Sequence, residues 1–343
     1  MNKLLDFFAA LSLVPSDITK MRGLLKKYLI QTEVFKNVLI TPLFVSKQSI
    51  NQIRDLKERE SFVLFDSGGY YVQIGRLSYH ELYYPLLQFY RENTWGDVYT
   101  LPDHVPTSQD KPDVVQKKVE ETAKFSRLFY LEMPDDLKSK AMGVVQGHTF
   151  SQVDLCLRTY LDLGLKYIGF GSFGTVGKNS QVNVATDNAV NLAQYVVGVA
   201  KEHSARVHFF GLGVPALAAM IFGVGAKSFD SSSWLKAAGF GQVFLPFMRA
   251  YNISHRNASS ELQKGITINE FEVLRNITKH HCPFCTSIED LQQIKLFRAM
   301  HNLICIKETV DLVNAGNFEL IRKIYSSGSP KYQQEYDKWL INV

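Results

Sequence analysis

Seven apolar runs of strand length alternate with polar stretches of helical length through the middle of this chain. That rhythm leaves few folds open. The runs span 38–45, 62–65, 98–101, 141–145, 167–170, 207–210 and 226–229. Most are near-continuous, the pattern of parallel strands covered on both faces. Between them, 49–58, 78–92, 112–129, 151–163, 186–201 and 215–222 read as helices. Repeated strand–helix units predict an α/β fold, the (β/α)8 or TIM barrel. An open doubly wound sheet is the alternative. The eighth strand is expected in 242–247.

A chain of 343 residues is long enough for one such barrel or for two smaller domains. The expected division is an N-terminal helical arm over 1–37, the barrel over 38–264, and a C-terminal helical subdomain over 265–343 packed on the barrel. Near Gly265 the composition shifts to a Cys/His cluster and then to stretches rich in Lys, Arg and Tyr. The N-terminal apolar stretch is broken by Asp6 and lacks a small-x-small cleavage pattern. A packed arm therefore fits it better than a signal peptide. No apolar run reaches the length of a membrane span, so no membrane partner is expected. Four cysteines, Cys156, Cys282, Cys285 and Cys305, are too few for a disulfide framework. A reducing, cytoplasmic setting is expected. The net charge of +5 is compatible with a polyanionic partner without requiring one.

In a barrel, ligands meet the C-terminal ends of the strands. Two of those ends read almost alike: Phe65-Asp66-Ser67 and Phe229-Asp230-Ser231. Gly68-Gly69-Tyr70 follows the first and Ser232-Ser233 the second. The other ends carry Asp103, Gln146-Gly147, Gly169-Phe170-Gly171 and Gly211-Leu212-Gly213. Each has a plain structural reading. A strand-end Asp caps helices, Gly-Gly makes turns, and a polar Gln satisfies backbone. Gly211-x-Gly213 lacks the third glycine of a dinucleotide loop, because Ala216 stands there. Together, however, they suit a flat polar heterocycle such as guanine. Asp103 can accept from an amidine-like edge and Gln146 can both donate and accept. The 169–171 backbone can approach a carbonyl, and Tyr70 or Phe210 can stack on a ring. Asp66 and Asp230 are then left for chemistry.

These segments resemble the tRNA-guanine transglycosylase superfamily. The matching stretches are FDSGGY at 65–70, LPDHVPT at 101–107, GVVQG at 143–147, YIGFG at 167–171, HFFGLGVP at 208–215 and FDSSSW at 229–234, in the family's order. The resemblance covers roughly residues 38–301. It implies a TIM barrel with a zinc subdomain and a base exchange by double displacement. By resemblance, Asp230 is the nucleophile at C1′ of the target nucleotide, and Asp66 is the general acid/base. Asp103 and Gln146 read the base edge with the backbone near Phe170, Gly171 and Gly211, while Tyr70 and Phe210 sandwich the ring. The logic is that of retaining glycosidases, with two carboxylates and an oxocarbenium-like transition state. At the barrel mouth the chain departs from the family in two places. Tyr71 and Val72 precede Gln73, where the family has Gln directly after the aromatic. Gly169-Phe170 stands where the family has Gly-Gly.

Near the C-terminus, His280-His281-Cys282-Pro283-Phe284-Cys285 is followed by His301. A Cys-x-x-Cys beside histidines is a zinc signature in a chain without disulfides, and a redox pair is the alternative. The family pattern, Cys-x-Cys-x-x-Cys with a distal His, lays Cys282, Cys285 and His301 on a structural Zn(2+); His280 stands where the family has its first Cys, with His281 competing for that position. The resemblance also implies a nucleic-acid substrate, a 7-deazaguanine base as small-molecule substrate, and possible homodimerisation. Within the superfamily the chain is most like the DNA 7-deazaguanine transglycosylases of phages and bacterial modification islands, the DpdA type. Residues 234–242 after Asp230 hold one Lys, where the bacterial tRNA enzymes carry a basic loop. DNA is thus the expected polymer and tRNA the alternative. For a flipped target base, Trp234, Phe240 or Tyr251 would fill the gap. Lys295, Arg298, Arg322, Lys323, Lys331 and Lys338 would meet phosphates. A non-catalytic nucleic-acid-binding subunit and a simple N-glycosidase are the readings from other classes.

Overall fold

The apolar runs become parallel strands that close on themselves. The computed structural model describes residues 4–11, 13–30, 33–176, 182–254, 265–327, 334 and 337–340. The barrel strands are β1 (Asp6–Ala10), β2 (Asn37–Ile40), β3 (Phe62–Phe65), β4 (Val98–Thr100), β5 (Ala141–Val145) and β6 (Tyr167–Phe170), then, after a small antiparallel pair formed by β7 (Gly174–Val176) and β8 (Val182–Val184), β9 (Arg206–Phe209) and β10 (Ser228–Ser231). They run β1-β10-β9-β6-β5-β4-β3-β2 around a closed ring, surrounded by helices. This is the predicted (β/α)8 barrel.

The eighth strand is not where the sequence suggested it. It is β1, which pairs with β10 through Phe8↔Asp230 and with β2 through Ala9↔Val38. The expected arm over 1–37 is therefore a barrel strand followed by the helix Pro15–Lys27. Residues 242–247 leave the barrel instead: β11 (Gln242–Val243) forms a short antiparallel pair with β12 (Tyr251–Asn252). The reason is packing. Phe8 and Ala10 join Leu39, Leu64, Val98 and Met142 inside the barrel, while Phe7 and Ala9 enter the outer core. Both faces of DFFAA are buried, so β1 takes the slot between β10 and β2 and no second strand can enter.

Several helices begin at polar caps. Ser46, Ser78, Thr149 and Thr186 each accept a hydrogen bond from the backbone N–H three residues on. Each such cap is worth about 1 kcal/mol. The first run, which becomes β2, stops at Ile40 rather than 45, because Pro42 opens a short 3-10 turn over Pro42–Phe44. That stop leaves Thr41 at the strand end.

The C-terminal region is fused to the barrel rim. Asn314 of the helix Lys295–Asn314 clamps Leu5 at both its N–H and its carbonyl, 2.8 Å each. Asn302 of the same helix accepts from Phe244 N–H at 2.7 Å and donates to the carbonyls of Trp234 and Gln242 at 3.1 Å. Among the described residues, no helix is long and apolar enough to cross a membrane.

Candidate active site and metal centre

Asp66, Asp103, Gln146 and Asp230 come from the C-terminal ends of different strands and reach the same mouth of the barrel. Asp230 faces inward from β10 and is 7 % exposed. Its Oδ1 accepts from the Gly211 N–H at 2.9 Å and lies 3.4 Å from His208 Nε2. Gly211 reaches this position with φ of +70°, a left-handed turn that a side chain would strain. Gly211 was expected at the base; its N–H is used on Asp230 instead.

Asp66 accepts a hydrogen bond from Thr41 Oγ1 at 2.9 Å. Its carboxyl is raised to about 7, first by burial and then by the charge of Asp103, with Asp230 adding to it and Thr41 opposing. Asp103 is 5 % exposed. It accepts from Ser67 Oγ at 2.6 Å and from Gln146 Nε2 at 2.7 Å. Burial raises its carboxyl, and those two hydrogen bonds partly offset the rise. Gln146 Oε1 accepts from Ser172 Oγ at 2.9 Å, and Ser172 accepts from Gly147 N–H at 2.7 Å. The base-edge candidates are thus locked in one polar chain from β3 to the loop after β6.

The raised carboxyl has a consequence for stability. An unfolded Asp titrates near 4, so folded Asp66 keeps a proton that the unfolded chain releases. Stability therefore falls as pH rises from about 4 to about 7, by about 4 kcal/mol for this group at most. Asp66→Asn removes that penalty. Above about pH 7 the variant is expected to exceed wild type by about 2 kcal/mol, and to match it near pH 4. Urea midpoints at the two pH values check this; parallel profiles would contradict the assignment.

Phe210 lies across the backbone of Gly169, where an added Cβ would come within 2.4 Å of its ring. Gly169 is thus required by close approach of an aromatic face. Phe170 itself is fully buried and points away, against Phe173 and Phe209. The Gly171 N–H is spent on the Val145 carbonyl at 3.2 Å, so it does not face a base as expected. Tyr70 is half-exposed at 36 %, with the Lys236 ammonium 5.7 Å from its ring centroid.

Three contributors escaped the sequence reading. Thr41 looked like strand interior, Ser67 like turn material, and His208 like one more residue of an apolar strand. The polar residues among strand ends were their only signal.

Two other expectations change. Trp234 is fully buried beneath the rim and cannot fill a gap in a duplex. Arg298 is 6 % exposed and donates to the carbonyls of Ala238, Leu291 and Gln292, so it holds the fold rather than a phosphate. Lys338 lies 3.7 Å from Asp187. Lys331 falls outside the described residues.

His280, Cys282, Cys285 and His301 converge as expected, all buried, with ligating atoms within 4.8 Å of one another. His281 is exposed and outside the group. Cys282 Sγ is 3.6 Å from Cys285 Sγ and 3.4 Å from His301 Nδ1, and His280 Nε2 is 3.3 Å from His301 Nδ1. A tetrahedral site with bonds of about 2.3 Å to sulfur and about 2.0 Å to nitrogen has edges of about 3.8 and about 3.3 Å. The outward ring nitrogens are already engaged. His280 Nδ1 is 2.5 Å from Glu308 Oε2, and His301 Nε2 is 2.8 Å from the Phe244 carbonyl. When each donates outward, two bare lone pairs face each other beside two thiols. That arrangement is repulsive without a cation and favourable with one. The residues therefore form a centre able to hold a metal ion. The fourth cysteine, Cys305, packs behind the rings, 3.6 Å from His301 Nε2 and 3.3 Å from the Phe244 carbonyl.

No protein-family model matches the chain, and no curated protein matches it.

Proposed function

We propose that the chain is a guanine transglycosylase, which exchanges guanine in a nucleic acid for a 7-deazaguanine derivative through a glycosyl ester on Asp230. One observation carries this reading: Asp230, its Oδ1 accepting from the Gly211 N–H and lying 3.4 Å from His208 Nε2, stands across the mouth from a second carboxyl, Asp66, raised to about 7. A nucleophile and a proton carrier of that kind are what a double displacement at an anomeric carbon needs.

The steps balance as follows. Asp230 Oδ2 forms a bond to C1′ as the C1′–N9 bond breaks. The leaving electron pair goes to guanine N9, and the protonated Asp66 carboxyl supplies its proton. Guanine departs and a 7-deazaguanine enters. Asp66, now ionised, takes the N9 proton of the incoming base. N9 then attacks C1′, and the ester bond to Asp230 breaks, returning its carboxylate. A group titrating near 7 serves in both directions.

Base recognition follows from the polar chain. Guanine's N1–H and N2–H would replace Ser67 and Gln146 as donors to Asp103, freeing the Gln146 amide for the base carbonyl. Phe210 supplies a ring face against the Gly169 backbone. The Cys2His2 cluster is read as a structural Zn²⁺ site, closed by four protein ligands and remote from the proton chemistry. When bound, the ion would supply folding energy.

DNA is the proposed polymer. The segment after Asp230, which forms the short helix Ser233–Gly239, carries Lys236 as its single basic residue, set over Tyr70 beside the mouth. In a duplex the target nucleotide must leave the stack to bring C1′ to Asp230. Radiolabelled guanine incubated with protein and either duplex DNA or tRNA tests both parts. Incorporation into DNA is expected. Incorporation into tRNA alone would move the substrate to tRNA, and incorporation into neither would overturn the reading.

A further inference from the structure

The barrel interior holds a histidine whose two ring nitrogens both meet inward-facing polar residues of the neighbouring strand. His208 on β9 is 1 % exposed. The register pairs it with Ser228 on β10, two residues before Asp230. Its Nδ1 is 2.8 Å from Ser228 Oγ, and its Nε2 is 3.4 Å from Asp230 Oδ1. Phe8 and Phe210 wall the ring edge-on, at 5.5 and 4.6 Å between centroids. The ring can therefore neither turn away nor reach water.

The two contacts fit one tautomer of the neutral ring: Nε2–H faces the carboxylate oxygen as donor, and Nδ1 then accepts from the Ser228 hydroxyl. The Gly211 N–H also donates to Oδ1. Both donors thus fall on one carboxylate oxygen. Oδ2 is left without either, and it is the oxygen with lone pairs available for attack. The 3.4 Å separation is long for a hydrogen bond, and such contacts commonly tighten when substrate is bound.

We propose that His208, held by Ser228, is the positioning residue of Asp230: it fixes the carboxylate by Oδ1 and presents Oδ2 to C1′. This rests on the transglycosylase reading for what Asp230 attacks, but not for how Asp230 is held. A core histidine serving packing alone would be replaceable by Phe, which fills the same apolar walls.

Two experiments separate the cases. The first needs no substrate. Nitrogen-15 spectra of histidine-labelled protein are expected to show His208 protonated at Nε2 with Nδ1 as acceptor, and Ser228→Ala and Asp230→Asn are each expected to move its signals. A bare Nε2, or signals indifferent to both variants, overturns the inference even if exchange activity is confirmed. The second is kinetic. His208→Phe is expected to lower the rate of glycosyl-enzyme formation by about 10- to 100-fold, the size of one hydrogen bond to a charged group, with guanine affinity unchanged. His208→Gln, which places an amide N–H near Nε2, is expected to recover most of that loss. Equal rates in wild type and His208→Phe overturn the inference. An inactive wild type with the expected spectra condemns the transglycosylase reading alone.

Discussion

Asp230→Asn is expected to lose base exchange by about 1,000-fold or more while still binding guanine. The substitution keeps the side-chain shape and can still accept from the Gly211 N–H, so the fold has no reason to change. It removes the negative charge and the lone-pair availability of Oδ2. With the amide oxygen kept on the Gly211 N–H, the amide nitrogen stands in the place of Oδ2; it is a poor nucleophile, and the N-glycosyl amide it would form is no leaving group for the second displacement. Asp66→Asn should look different. Its nucleophile is intact, but no group remains to pass the N9 proton. Its loss is expected to shrink with bases that leave or enter without that proton, whereas the Asp230→Asn loss should be the same for every base. The measurements are single-turnover exchange with labelled guanine and isolation of a covalent adduct. An Asp230→Asn enzyme that retains more than about a tenth of wild-type exchange would remove Asp230 from the role of nucleophile.

The second large effect concerns the metal centre. Stripping the ion with a strong chelator, or substituting Cys282→Ser, is expected to cost about 3–5 kcal/mol and to lower the melting temperature by about 5–10 °C. His301 sits on the helix Lys295–Asn314, which also carries Asn302 and Asn314. Those side chains tie the region to Phe244, Trp234 and Leu5. Loosening the cluster therefore loosens the closing strand β1. Readdition of zinc should restore the melting temperature of the stripped protein but not that of Cys282→Ser. Elemental analysis showing no metal in protein purified without chelators, with a melting temperature indifferent to EDTA, would end the zinc assignment.

How much of this was legible in the chain differs from residue to residue. The seven apolar runs were readable because parallel strands buried on both faces need continuous apolar sequence, and their order along the chain fixes where their ends lie. The candidate carboxylates followed, since Asp66, Asp103 and Asp230 each stand just beyond or within such a run. The ligand set of the cluster was readable from spacing and resemblance, and the structure separates His280 from His281 by burial. β1 was not readable. Five residues opening on Asp6 carry too little pattern to outweigh a packed arm, and only the slot between β10 and β2 selects them as a strand. The Gly171 N–H looked free because sequence does not say which carbonyl lies opposite; the register with β5 gives it to Val145.

By itself the sequence determined the barrel class, the strand-end carboxylates and the cysteine–histidine set, because these rest on local apolar pattern and on side-chain chemistry. Only the tertiary structure decided which strand closes the ring and that Thr41, Ser67 and His208 serve the carboxylates. It alone also supplied the physical difference between Asp66 and Asp230, whose roles the resemblance had only implied. Two nearly identical Phe-Asp-Ser segments differ in their neighbours: Asp103 and the Thr41 hydroxyl stand beside Asp66, while the Gly211 N–H and His208 Nε2 lie against Asp230 Oδ1. Those are properties of what lies across the barrel, and no residue adjacent in the chain carries them.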